Sequence, residues 1–419
     1  MGARTRICAY ASGRAPARVR AGVRGRARAR HYYNAKTVCR PARRVVCHVK
    51  ENLTKRCGPL CVIGRTCKGN LDKRHRVWYA ELTGKETRPT TKQEVNTMKD
   101  RTEFINAMKQ QTIGCEIEMA EITRDAAIKV VADYFGTQNT VQYEGLGYKA
   151  WSCLDRKGRK WLVMRDSSIR ASSDDKKAEL TTPILTYDDI EDLQEIVRRL
   201  RHAGAISNPN HGCGVHIHIG AADHTPQTLR NLVNIMAAHE ALLTHAIYIA
   251  RSRTGHWCQP VDPRFLQQVN AKKPKTMADL ADVWYGSQGC NYGRDQHYNG
   301  SRYHMLNLHA TFTKGTVEFR LFQFDNPHNG FKGGLHAGRL KAYIQLALAI
   351  NQQAKTVRTA SPKALTTDNP KYAMRCWLLR LGFIGDEFAT ARDQLTKKLP
   401  GDAAFRHGRP QTAANADAA

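Results

Sequence analysis

The sequence predicts an α+β fold, a sheet whose apolar face is covered by helices. Two observations predict it. Several short stretches alternate between apolar and polar residues, the period of strands with one face buried. Between and after them run apolar stripes at helical spacing, opened by Thr caps or closed by Gly.

At 419 residues the chain has room for two or three domains, or for one large core with appendages. Its net charge of +29 is unevenly spread, because the first 110 residues hold 27 Lys/Arg against 7 Asp/Glu. The opening run RAPARVRAGVRGRARARH is low in complexity and lacks the apolar periodicity that could repay the entropy of ordering. Residues 1–97 are therefore predicted to be a disordered basic extension. With few aromatics among its arginines, its contact with nucleic acid would be nonspecific phosphate attraction. Cys57 and Cys61 lie in this region with Cys39, Cys47 and Cys67, but the spacings do not form the two close couples of a zinc site. Globular composition begins near Met98, so the working protein is expected over 98–399, and translation starting near Met98 is a further expectation. From Pro400 the residues are Ala-, Asp- and Gly-rich, a flexible tail. Twelve cysteines behind an Arg-rich start without an apolar run suit a reducing cytoplasm. No stretch reaches the roughly 18 uncharged apolar residues of a membrane helix.

Taken in order, IGCEIEM puts Ile113, Cys115, Ile117 and Met119 on one strand face and Glu116 and Glu118 on the other. Two like charges side by side are costly unless they meet water or share a cation. Strand-like runs follow at 161–164 and 178–182, with Asp166 and Glu179 at their ends; Asp166-Ser167 also suits a capped turn. Thr186 opens a helix carrying Ile190, Leu193, Ile196, Val197 and Leu200, and Gly204 stops it.

NHGCGVHIHIG, at 210–220, is the most informative stretch. Val215, Ile217 and Ile219 face one way; His216 and His218 face the other, about 7 Å apart and within reach of one metal or polyanion. Thr225-Pro226 then caps a long helix, after which Arg251 and Arg253 either complement its dipole or reach into a site. Residues 255–300 read as one long irregular loop that covers the site. In HMLNLHATFTKGTVEFRLF, Lys314-Gly315 suits a two-residue hairpin turn. Such a turn would pair Thr313 with Thr316, Thr311 with Glu318 and His309 with Arg320, leaving Asn307, His309, Thr311, Glu318 and Arg320 on one polar face. Helical stripes return around Leu340–Ile350, 377–381 and 388–395.

Carboxylates, histidines and an arginine on one sheet face suit divalent cations and a polyphosphate, since carboxylate oxygens take Mg²⁺ and Arg takes phosphoryl charge. No GxxxxGK[ST] loop or GxSxG elbow is present, which removes the P-loop and hydrolase-elbow solutions. The strands Glu116-Ile117-Glu118, Gly214–His218 and Thr316–Arg320 resemble, in that order, the signature strands of glutamine synthetase and glutamate-cysteine ligase. The closer resemblance is to the amidoligase family of that superfamily. It extends over roughly 110–355 and includes Asp166-Ser167, Glu179–Pro183 and Asn307.

The resemblance implies a glutamine-synthetase-like core built on a curved, mainly antiparallel sheet, and formation of an amide or isopeptide bond between a carboxylate and an amine substrate. ATP and Mg²⁺, or Mn²⁺ in its place, would take part. It implies that Glu118 and Glu179 hold one metal and Glu116, His216 and Glu318 another, that His218 contacts ATP, and that Arg320 stabilises the transferring phosphoryl group. Asp166, Asn307 and Arg251 are implied for substrate or phosphate. Two other readings remain open at this point. A cupin-like metal enzyme would use the His-x-His strand but wants a Glu shortly after it, where Ala221 and Ala222 stand; a nucleic-acid binder would depend on the basic extension.

Overall fold

In the computed structural model, residues 92–145, 147–327 and 333–408 are described, with side chains from Asp100 onward. The zinc spacing and all but residues 92–97 of the extension predicted as disordered over 1–97 fall outside these. A first helix, α1 (Lys92–Lys109), runs across Met98.

The sheet forms from the alternating stretches. β1 (Ile113–Met119) buries Ile113, Cys115, Ile117 and Met119 almost completely, as its period of two requires. It is followed by α2 (Arg124–Phe135), β2 (Gln142–Gly145), β3 (Ala150–Leu154), β4 (Lys160–Met164) and β5 (Ala178–Thr181). After α3 (Ile190–His202) come β6 (Val215–Gly220) and the long α4 (Pro226–Ile247). Thr225 and Thr228 close a capping box over α4, with Pro226 in its first turn. A short α5 (Arg251–Thr254) leads on to β7 (Leu306–Asn307), α8 (His309–Thr313) and β8 (Thr316–Phe322) by way of α6 (Pro263–Lys272) and α7 (Met277–Ser287). Three helices finish the fold: α9 (Ala337–Thr356), α10 (Pro370–Arg380) and α11 (Ala389–Thr396).

The eight strands pair in the order β2-β3-β4-β5-β1-β6-β8-β7, and every neighbouring pair is antiparallel. Packing follows from the faces. α2 lies against β3, β4 and β5, while α9 lies against β6 and contacts α1, α3, α4 and α11. α9 is buried almost all round, so its polar residues need internal partners. Gln345 Nε2 donates to Tyr187 Oη at 2.7 Å, and Asn351 Nδ2 donates to Gln111 Oε1 at 2.7 Å.

Two expectations differ. Residues 255–300 are not one irregular loop, because Asp262-Pro263 caps α6 and a Thr276/Asp279 capping box opens α7; the stretches before Pro263 and after Ser287 stay irregular. The Lys314-Gly315 hairpin does not form. Gly315 does take a positive φ of 69°, but residues 309–313 coil into α8, so that β7 supplies the strand beside β8 and Asn307, not Thr311, sits opposite Glu318. Thr313 is likewise unpaired with Thr316, and His309 with Arg320. Beyond Pro400, the chain to 408 is tied down where Asn369 Nδ2 donates to the carbonyls of Asp402, Phe405 and Arg406. No helix among the described residues is long and apolar enough to cross a membrane.

Candidate active site

The site is built from four central strands of the sheet, β5, β1, β6 and β8, with β7 at the edge. Antiparallel register sets the cross-strand neighbours. Glu116 lies opposite His216, Glu118 opposite Glu179, and His218 and Asn307 each opposite Glu318. Because the apolar alternates are buried in the core behind the sheet, these polar side chains share its other face.

Two glycines make the strand packing tight. A Cβ on Gly214 would come within 2.3 Å of the Arg253 guanidinium, and one on Gly220 within 2.4 Å of Thr112 Oγ1. Arg253 donates to the β8 carbonyls of Phe322 and, at 2.9 Å, Arg320. Between those two residues the ladder is irregular: β6 Ile217 pairs with Phe319 but Val215 pairs with Phe322, so β8 carries one extra residue opposite His216. Such bulges re-aim side chains beside active sites.

The polar face divides into two clusters that could each hold a metal ion, their ligand atoms lying within 4.8 Å of one another. One comprises Glu116, His218 and Glu318; the other comprises Glu118, Asp166 and Glu179. His216 bridges them. Its Nδ1 lies 3.0 Å from Glu116 Oε2 and 3.7 Å from Glu318 Oε1, and its Nε2 lies 3.7 Å from Glu118 Oε1.

In the first cluster His218 Nδ1 is held by Thr316 Oγ1 at 3.0 Å, leaving Nε2 3.2 Å from Glu116 Oε1 but without a hydrogen bond among the described residues. Glu318, 1% exposed, accepts from Arg320 Nη1 at 2.5 Å and from Asn307 Nδ2 at 2.6 Å. Burial raises its carboxyl pKa, but Arg320 and then His218 outweigh that and bring it down to about 2. Glu116 is likewise pushed up by burial and brought well below the usual range by His218 and His216. His218 is lowered by burial and raised further by Glu116 and Glu318, with a net upward shift.

In the second cluster Glu118 Oε2 accepts from the Gly214 amide at 2.6 Å, and Asp166 Oδ1 accepts from the Ser168 amide at 2.7 Å, so the expected Asp-Ser turn is present as well. Among the described residues no Lys or Arg forms an ion pair with Glu118, Asp166 or Glu179. Burial, then Glu116, Glu118 and Asp166, push the Glu179 carboxyl well above its ordinary value. Three carboxylates meeting without a cationic side chain fit a hard divalent ion. The imidazole nitrogen without a hydrogen bond, beside two ionised carboxylates, fits a second one.

All the expected strand residues thus converge, but the grouping differs from the one implied by the resemblance. His218 joins Glu116 and Glu318, beside which His216 also lies, and Asp166 joins Glu118 and Glu179. Arg251 is exposed and takes part in none of these contacts among the described residues. Its neighbour Arg253 is the arginine that reaches the site strands. Two other groups were not singled out from the sequence. Lys314 Nζ lies 3.5 Å from Glu116 Oε1, and Tyr303 lies 5.9 Å beneath the Arg320 guanidinium. The stretch after Ser287 also touches the far hairpin, where Tyr298 Oη and Tyr148 Oη are 3.2 Å apart.

A search of curated protein sequences finds no match. Among solved structures, a bifunctional glutathione synthetase from Pasteurella multocida is similar over 71% of this chain, with 13% identity and a TM-score of 0.35; this chain spans 48% of that protein. The family profile described as "Putative amidoligase enzyme" matches residues 109–351, which contain all eight strands and every residue of both clusters. The chain belongs to this amidoligase family.

Proposed function

We propose that the protein is an ATP- and Mg²⁺-dependent carboxylate–amine ligase, with Mn²⁺ able to substitute. Its family supports the coarser role, an enzyme that joins carbon to nitrogen. The observation that carries the finer reading is the second cluster: three carboxylates within 4.8 Å and no Lys or Arg paired with them among the described residues. Acid and amine do not condense spontaneously in water, so a phosphoryl donor is required.

In this reading the acid's carboxylate oxygen attacks the γ-phosphorus of ATP, the bond to the β,γ-bridging oxygen breaks, and ADP leaves. The amine then attacks the acyl phosphate carbon, phosphate departs and the amine proton passes to solvent. Bound divalent ions would neutralise phosphate charge and draw together groups that repel each other. Glu118, Asp166 and Glu179 would hold one ion, and Glu116, His218 and Glu318 the other. His216, in contact with both sets, keeps the clusters in register. Arg320 directs a permanent positive charge to the face where phosphoryl charge develops. Asn307 orients Glu318 through its hydrogen bond. A cupin-like reading is less well supported, because β6 ends at Gly220 and the carboxylates beside its histidines come from other strands.

The test is incubation with ATP, Mg²⁺ and pooled acids and amines, watched by mass spectrometry for a product one water lighter than its parents. ATP-dependent appearance of such a product is expected, and its loss in Glu318→Ala. Undiminished ligation by that variant would remove the metal assignment.

A further inference from the structure

Next to Glu318 the polar face has a small, half-open depression whose lining includes His297, Arg302, Asn307, His309, Lys314 and Glu318. It is made by the irregular stretch after Ser287, by β7 and α8, and by the turn before β8. Its charge is unbalanced. The carboxylate, Glu318, is already engaged by Arg320 and Asn307, whereas Arg302 and Lys314 bring two permanent cations. Arg302 is 8% exposed and lies over the rings of Tyr298 and Tyr303; among the described residues its guanidinium makes one hydrogen bond, from Nη1 to the His297 carbonyl at 3.0 Å. No carboxylate among the described residues forms an ion pair with it. A buried guanidinium with one backbone acceptor still has donors to offer, in a fork that matches a planar or tetrahedral oxyanion.

Lys314 is placed differently. Its flexible, 41%-exposed side chain leans away to Glu116, the carboxylate that also belongs to the neighbouring cluster. We propose that Arg302 and Lys314 form a subsite for an anionic oxygen group, and that Lys314 is a built-in counter-cation on Glu116, released to this subsite when a divalent cation binds there. The inference rests on the ligase reading for the identity of the neighbouring cluster as a cation site. Two sources carry such an oxygen group, the acid substrate's carboxylate and the phosphoryl donor. His297 and His309 add no charge near neutral pH, since burial and then the nearby Arg302 and Lys314 hold both below their ordinary values.

Calorimetry on the full chain tests this with Mn²⁺ alone, then with glutarate or inorganic phosphate in the presence and absence of Mn²⁺. Lys314→Met is expected to bind Mn²⁺ at least as tightly as the natural chain, its competitor being gone. Lys314→Met and Arg302→Gln are each expected to bind the anion roughly tenfold more weakly, with Lys314→Arg restoring most of the loss. Anion binding by the natural chain should strengthen when Mn²⁺ is present. Tighter binding of glutarate would assign the subsite to the acid, and tighter binding of phosphate to the phosphoryl donor. Weaker Mn²⁺ binding by Lys314→Met, or anion affinity unchanged in both Lys314→Met and Arg302→Gln, would overturn the proposal. Failure of the natural chain to bind Mn²⁺ would instead count against the ligase reading itself.

Discussion

The two carboxylate clusters share one sheet face and adjacent strands, yet differ in what surrounds them. Around Glu116 and Glu318 stand His216, His218, Arg320 and Lys314, and both carboxyls are held ionised. Around Glu179 stand mainly other carboxylates, and its carboxyl is pushed up. The first cluster is close to charge-balanced on its own, whereas the second repels itself. Removing a group from the first should therefore destabilise the fold, and removing one from the second should relieve it.

That contrast can be broken in several ways. The largest effect is expected from Glu318→Ala, which leaves the buried Arg320 guanidinium without its carboxylate. A cost of about 3–5 kcal/mol in denaturant unfolding is expected together with loss of ligation; a variant as stable as the natural chain would mean that the pair is not a structural one. Next, Mg²⁺ or Mn²⁺ at a hundredfold excess over its dissociation constant should raise stability by about 2.7 kcal/mol. Glu179→Gln should lose much of that gain, and thermal melts with and without the ion measure it.

A calibrating carboxylate lies away from both clusters. Asp189 is 2% exposed, caps the turn before α3 and pairs with Arg159 at 2.8 Å and with the more exposed Lys157. Burial raises its carboxyl pKa, but Arg159 and Lys157 outweigh that, so the folded value is depressed. Its contribution is then present above the ordinary carboxylate range and lost as pH falls through the folded value. Asp189→Asn should cost roughly 1–2 kcal/mol at neutral pH, a difference that shrinks in acid. The smallest effect, opposite in sign, is expected from Glu179→Gln without metal: a gain of about 0.5–1 kcal/mol with ligation abolished. A loss of stability there would erase the contrast between the clusters.

Much of this face was legible in the sequence because a period of two needs no tertiary information. Alternation in IGCEIEM, VHIHIG and TVEFRLF assigned Glu116, Glu118, His216, His218, Glu318 and Arg320 to the polar side. Which of them meet depends on register and on the β8 bulge, and neither has a local signature. Hence His218, as well as His216, stands beside Glu116 and Glu318. HATFT alternates as well as any strand, so five residues of pattern could not distinguish a strand from the turn of helix that forms. The helices within 255–300 did carry signals, Asp262-Pro263 and the Thr276/Asp279 capping box. Arg302 and Lys314 had none, since their place in that depression depends on segments that meet only in the folded chain.

The extra residue on β8 has a consequence for insertions and deletions. Arg253 grips the carbonyls on both sides of it, and β6 regains its pairing only at Phe322. Deleting Leu321 would restore an even ladder on paper, but would bring Phe322 one place forward and shift everything after it relative to Arg253. A family member of different length here must therefore have rebuilt that arginine's seat, and length at 320–322 becomes a marker of which relatives share this site's wiring.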